Sequence, residues 1–328
     1  MKHVLVTGGG GFVGSALVRR LVEYGCEVRV AGRKRYPHIE RLDVQCIVGD
    51  IGDSAFVQEA CRGIDTVFHT ASKAGIWGSR QEYERTNVSG TENIVSACRK
   101  HGIPRLVYTS TPSVVFDCND IENGDESLPY AEQFLCHYAR TKAVAERCIL
   151  HNNAGGLKTC AIRPHLIWGP DDPHLIPRLL ERGKQGKLKI VGTGTNTVDI
   201  TYVDNVAHSH LLAAQSLAGD GAAAGKAYFI GQERPVSLWD WINGLYRDLG
   251  IAPITRKVPF NAAYRIGALL EMVYRFSARN NEPPMTRFLA LQLARSHYFS
   301  HEQAEKDFGY RPIVSLEEGK EKLLAALC

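Results

Sequence analysis

The chain has 328 residues, 44% of them hydrophobic and 23% charged, which is enough for a large buried core. Its 39 basic and 35 acidic residues leave a net charge of +4, with no long like-charge run, which argues against a nucleic-acid partner. Nine scattered cysteines form no CxxC pair and no histidine cluster has metal-ligand spacing, so no metal is expected.

Short apolar runs alternate with helix-period stretches from the start. Strands are predicted at HVLVT (3–7), EVRVAG (27–32), VQCIV (44–48), DTVFHTA (65–71) and RLVYTS (105–110), with helices at VGSALVRRLVEYG and TENIVSACRKHG between them. A sixth strand is predicted at KTCAIR (158–163), after a helix that begins near Tyr138. This rhythm predicts an α/β fold, a Rossmann-type doubly wound parallel sheet with helices on both faces. Beyond Pro170 the rhythm breaks at PDDP and GTGTN (192–196). We read 1–170 as the dinucleotide-binding domain, completed by parts of 197–230, where a sheet-like segment (197–203) leads into the helix DNVAHSHLLAAQSL. The rest of 171–328 reads as a smaller, discontinuous, mainly C-terminal substrate-binding region, and AGDGAAAG (218–225) as a surface loop.

No apolar stretch reaches the ~18 residues of a membrane-spanning helix. NAAYRIGALLEMVYRF (261–276) reads instead as an amphipathic helix. Ala262, Ala263, Ile266, Leu269, Leu270, Val273 and Phe276 fall on one face, with Glu271 and Arg275 opposite. The apolar face is expected to pack on the core; the alternative is a cover for a lipid tail or a peripheral contact with a membrane surface. HVLVT follows Met1 with no secretory leader pattern between, so a cytoplasmic location is expected.

The first strand-to-helix turn carries TGxxGxxG, with Gly8, Gly11 and Gly14. Glycines there allow a tight turn and close approach of backbone to a pyrophosphate, favoured at a helix N-terminus. After the second strand, where an NAD site presents a carboxylate to the ribose 2′-hydroxyl, the chain has Gly32 followed by Arg33, Lys34 and Arg35. Cations there suit a 2′-phosphate, so NADP(H) is expected over NAD(H), with Arg33 as the contact. Asp50 and Ile51, just after the third strand, are placed to read and cover an adenine.

Tyr138 and Lys142 have the YxxxK spacing that puts both on one helix face, where an ammonium favours the phenolate. Ser110, Thr111 and Ser113 follow the fifth strand, at the sheet edge where ligands bind in open α/β folds. Thr111 is the expected holder of a substrate oxygen.

Taken together, TGGGGFVG, FHTAS, NVSGTENIV, YTSTPSVVF, YARTK, RPHLIWGP and TYVDNVAHSHLLA resemble the extended short-chain dehydrogenase/reductase superfamily along nearly the whole chain. The resemblance implies an oxidoreductase with a Thr111–Tyr138–Lys142 centre, where most members have Ser at the first position, and places Asn87 on the helix after the fourth strand. It implies further cofactor contacts from Phe12, Val13, Thr70, Ala71, Ser72, Pro164, His165 and Leu166, and a homodimer formed through the helices carrying Asn87 and Tyr138. His69, at a strand end, reads as structural; His137 and His165 read as substrate neighbours.

Sugar-nucleotide epimerases of this superfamily carry a VYG-like triplet where this chain has Val114-Val115-Phe116. The tail RSHYFSHEQAEKDFGYRPIVSLEEG is similar to that of 3β-hydroxysteroid and sterol-carboxylate dehydrogenases, and KAGIWG to bacterial reductases of 2-alkyl-3-oxoalkanoic acids in long-chain olefin synthesis. These resemblances imply a ketone or secondary alcohol on a hydrophobic substrate, with Lys73, Trp77, Ser113 and Trp168 as candidate contacts. An epimerase or dehydratase acting on sugar nucleotides and a non-catalytic NADP(H)-sensing protein are the alternatives.

Overall fold

Runs rich in valine and isoleucine, apolar on both faces, form a seven-stranded parallel sheet in the computed structural model, which describes residues 1–277 and 281–327. Cys328 lies outside the described residues. The strands are β1 (His3–Thr7), β2 (Glu27–Gly32), β3 (Gln45–Val48), β4 (Thr66–His69), β5 (Arg105–Thr109), β6 (Lys158–Pro164) and β7 (Ala227–Ile230). Their order across the sheet is β7-β6-β5-β4-β1-β2-β3. Alternation along β1 sends Val4 and Val6 into one core and Leu5 into the other, so helices cover both faces.

The principal helices are α1 (Phe12–Glu23), α2 (Ser54–Ala60), α3 (Gly90–Lys100), α4 (His137–His151), α5 (Val203–Ala218), α6 (Phe260–Phe276) and α7 (Arg287–Ala294). A π-helical turn, Glu84–Ser89, leads into α3. Six strands stand where the apolar runs predicted them. The seventh, AYFI, pairs with β6 and was not foreseen, being too short to show a period. The segment 197–203 forms two short strands ahead of α5: Thr197–Val198 joins a four-stranded sheet with 121–124, 236–237 and 297–299, while Thr201–Tyr202 pairs with Ile167–Trp168. Among the described residues no helix is long and apolar enough to cross a membrane.

Helix α6 is amphipathic in the opposite sense to the expected one. Ala263, Gly267, Glu271 and Tyr274 face inward, while Ile266, Leu269, Met272 and Val273 are about half exposed and Phe276 is 87% exposed. Two features turn the helix this way. A Cβ at Gly267 would lie 2.6 Å from the Thr286 carbonyl carbon, so the small residues let α6 press against the start of α7. Glu271 accepts hydrogen bonds there from the Arg287 backbone N–H (2.7 Å) and Nε (2.9 Å), a favourable place for a carboxylate at a helix N-terminus.

The core also holds a buried ion pair. The Glu146 carboxylate, on α4, accepts hydrogen bonds from Arg163 Nε (3.0 Å) and Nη2 (2.6 Å) on β6 and from the Tyr130 hydroxyl (2.7 Å). Arg163 lies 4.9 Å from the centre of the Phe229 ring. Replacing Arg163 by Met leaves that carboxylate buried without its cation. Urea unfolding should show a loss of about 3–5 kcal/mol; a loss below about 1 kcal/mol would show that the pair does not hold α4 to the sheet.

Candidate active site

The chain reverses direction across the sheet between β1 and β4, and a crevice opens at that switch point, as in other doubly wound sheets. Gly8 has φ +69°, and a Cβ there would sit 2.8 Å from Ala71 Cα. At Gly14 a Cβ would come within 2.2 Å of the Gly8 carbonyl oxygen. At Gly11 a Cβ would meet only that oxygen, at 3.3 Å, so the turn is open on this side. No side chain caps α1, which begins at Phe12 and Val13. A crowded glycine turn with an open outer side and an uncapped helix N-terminus fits a pyrophosphate.

The rest of the expected cofactor set is distributed around this turn. Thr70 donates to the Thr7 carbonyl oxygen (2.7 Å) and the Ala71 N–H to the Thr7 hydroxyl (3.3 Å), which ties the segment leading to Ser72 onto β1. Arg33, Lys34 and Arg35 are exposed after β2, with Arg35 on Glu40 (3.3 Å). Ile51 is buried against Gly90, whereas Asp50 is held by Arg85 (2.9 Å) and the Gly52 N–H (2.8 Å).

Thr111, Tyr138 and Lys142 come together at the carboxyl end of β5. The Thr111 hydroxyl bonds Ser113 (3.2 Å) and Tyr138. Burial pushes the Tyr138 phenol up to about 12, and the Thr111 hydrogen bond opposes it. Lys142 is buried and donates to the Thr109 carbonyl oxygen (2.5 Å), with its ammonium 4.1 Å from the centre of the Tyr108 ring. Desolvation lowers Lys142 to about 7, against the attraction of Glu146 one turn further along α4. The ammonium is thus engaged with the Thr109 carbonyl, one helical turn from Tyr138.

Three of the buried histidines are held in single tautomers. Thr91 gives its proton to the Asn87 carbonyl oxygen (2.7 Å), so it accepts from His69 Nε2 (3.0 Å), and His69 Nδ1 accepts from the Thr7 hydroxyl (2.7 Å). Desolvation and Lys142 lower His69 to about 3, leaving it a neutral structural link. His297 Nε2 donates to the Gln292 carbonyl oxygen (2.9 Å), so its Nδ1 accepts from His165 Nε2 (2.6 Å). Pro164 ends β6 beside this pair, and Leu166 has φ +37°. The Asn87 amide binds the Thr141 hydroxyl (3.0 Å) and both backbone groups of Lys73, fixing the start of the next loop.

That loop borders a cleft of about 1180 Å³ whose walls include Lys73, Ile76, Trp77, Phe134, Tyr274 and Phe288. The Tyr83 hydroxyl donates to the Gly75 carbonyl oxygen (2.7 Å), with those of Ala74 and Trp77 close by, and Trp77 meets Tyr274 edge to face at 6.2 Å. His137 lines the cleft too. Trp168 does not: it is fully buried between Tyr202 and Trp241, and the expectation that it touches substrate is corrected. Sequence reasoning missed Tyr83, Glu146, Arg163, Tyr274 and His297; only Glu146, four residues after Lys142, stood at a telling spacing.

Residues 5–260 match the model of the 3-beta hydroxysteroid dehydrogenase/isomerase family. Over 98% of its length the chain is 48% identical to a 2-alkyl-3-oxoalkanoate reductase of Stenotrophomonas maltophilia, covering 98% of that protein. It is 36% identical over 98% of its length to the decarboxylating sterol-4-alpha-carboxylate 3-dehydrogenase of Mus musculus, covering 90% of it. Among solved structures, gox2253 aligns with TM-score 0.82 and 26% identity over 100% of this chain and 98% of that one. MoeE5 in complex with UDP-glucose and NAD aligns with TM-score 0.76 and 27% identity over 99% and 98%. The family match runs from β1 to the start of α6, through both halves of the site, and with relatives of this identity along almost the full length it establishes that the chain belongs to the 3-beta hydroxysteroid dehydrogenase/isomerase family.

Proposed function

We propose that this chain interconverts a ketone and a secondary alcohol on a hydrophobic substrate, such as a 2-alkyl-3-oxoalkanoic acid or a 3-hydroxysteroid or sterol, with NADP(H) preferred over NAD(H). The observation that carries this reading is the Thr111–Tyr138–Lys142 cluster, with Tyr138 packed against the apolar group that holds Ile76 and Phe134, near a cleft whose walls set Ile76, Trp77, Phe134 and Phe288 among charged side chains such as Lys73, Arg80 and Arg140. Residues 1–170, with parts of 197–230, serve the cofactor and the remainder of 171–328 the substrate. The glycine turn would hold the pyrophosphate, Arg33 the 2′-phosphate and Lys142 the nicotinamide ribose. When bound, NADPH supplies the hydride. Thr111 holds the carbonyl oxygen and Tyr138 gives it a proton; a phenol lifted to about 12 stays loaded as an acid at neutral pH.

We assign Lys73 and Ser113 as further substrate contacts, near Trp77 and Thr111. The assembly we propose is a homodimer through α3 and α4. A screen of NADPH and NADH oxidation against long-chain 3-oxo acids, 3-oxosteroids and UDP-sugars tests the substrate class, the MoeE5 complex making a sugar nucleotide the natural competitor. Oxidation with an apolar ketone is expected, lost at least ~100-fold in Tyr138→Phe while cofactor binding persists; conversion of a UDP-sugar without net cofactor oxidation would reverse the assignment. Arg33→Asp should weaken NADPH binding roughly tenfold or more and NADH binding little. Equal losses for both would make the basic loop a mere solvated surface.

We also propose that the outward face of α6 docks on an anionic bilayer at the cytoplasmic leaflet. Its exposed residues include Arg265, Arg275 and the apolar stripe from Ile266 to Phe276, with no carboxylate, because Glu271 is turned inward. A second copy of the same face would set arginines against arginines. Tyr274 and Arg275 also line the cleft, so a docked helix places the substrate entrance at the lipid surface. Flotation with phosphatidylserine-containing vesicles should capture the wild type and fail for Leu269→Glu/Phe276→Glu, with turnover of a short soluble ketone unchanged. Equal flotation of both proteins would refute the docking.

A further inference from the structure

Gly10 and Gly32 flank the ring of Tyr36 at the outer end of the cofactor crevice. The three atoms nearest to a Cβ built on Gly10 all belong to that ring, at 2.2–2.4 Å, so the ring lies flat on the glycine where a side chain would be. A Cβ on Gly32 would fall 2.8 Å from Tyr36 Cε2. Neither glycine has a positive φ, so the backbone alone would accept alanine at both. What these positions exclude is anything that lifts the ring. TGxxGxxG leaves position 10 free, and its glycine is unexplained by the pyrophosphate turn.

The ring belongs to a fastened segment. His38 meets Tyr36 edge to face at 6.0 Å, and its Nε2 lies 3.2 Å from the Ser15 hydroxyl on α1. Ile39 is fully buried just beyond. The Lys34 ammonium stands 5.6 Å from the centre of the Tyr36 ring. The chain leaving β2 is therefore pinned to the glycine turn at Tyr36 and again at His38, and the span between Gly32 and Tyr36 carries Arg33, Lys34 and Arg35. Exposed basic side chains on a free loop lose much of their attraction to a phosphate in being ordered; on a pinned loop that loss is already met in folding.

We infer that Tyr36, seated on Gly10 and Gly32, is the positioning residue for cofactor specificity: it holds Arg33 and Lys34 at the edge of the crevice to receive the 2′-phosphate of the dinucleotide. The inference rests on the NADP(H) preference proposed above. NADH lacks that phosphate, so displacing the ring removes affinity for NADPH selectively.

Binding of NADPH and NADH to the full-length protein, followed by the change in cofactor fluorescence, reads the effect without any substrate. The wild type is expected to favour NADPH. Tyr36→Ala should lower the NADPH-to-NADH affinity ratio about tenfold, and Tyr36→Phe, which keeps the ring, should retain it. Gly10→Ala should lower the ratio in the wild type and do nothing further in Tyr36→Ala, because the atoms it would strike are gone. A wild type that binds both cofactors equally would overturn the NADP(H) reading and this inference with it. A wild-type preference that survives Tyr36→Ala, or a Gly10→Ala loss of equal size in both backgrounds, would overturn the role of Tyr36 alone.

Discussion

The ion pair between Glu146 and Arg163 joins the two elements that frame the reaction centre. Helix α4 carries Tyr138 and Lys142, and β6 ends at Pro164 beside the His165–His297 pair. Both partners are buried, so each charge persists because the other faces it across two hydrogen bonds. The pair fixes the helix against the strand end, and the phenol, the ammonium and the floor of the crevice keep one spacing. Glu146 also contributes the attraction that opposes the desolvation of Lys142.

Around this centre the protein buries ionisable groups and gives each a partner. His69 spans Thr7 and Thr91, His297 holds His165, and Lys142 rests on the Thr109 carbonyl and the Tyr108 ring. Such links are costly to break, because a buried polar group that loses its partner keeps the full penalty of leaving water. They make the crevice stiff. The cleft beyond it is bordered differently, by a loop held through the Tyr83 hydroxyl and the Asn87 amide, and by a helix whose apolar side is outward.

Much of the fold was legible because it rests on local pattern. Six strands and the helix bearing Tyr138 followed from apolar runs of the right length. The crevice was legible as well, since glycine at 8 and 14 answers to close backbone contacts that no other residue permits. Two readings failed for non-local reasons. Trp168 was expected to touch substrate, but Tyr202 and Trp241 enclose it. Helical periodicity separated the two faces of α6 without saying which one the core would take; Gly267 and the Arg287 partner of Glu271 reversed the choice. Helical spacing also put Lys142 and Tyr138 on one face without showing how deeply Lys142 is buried or that it meets the Thr109 carbonyl.

By itself the sequence determined the α/β architecture, the phosphate turn and the membership of Tyr138 and Lys142 in one helical face, because each depends on residues a few positions apart. Tertiary structure alone decided which side of α6 meets water, where Trp168 lies, which histidines pair, and that Glu146 finds Arg163 and Tyr36 finds Gly10. Those outcomes hang on contacts between distant segments, where packing and desolvation outweigh local preference.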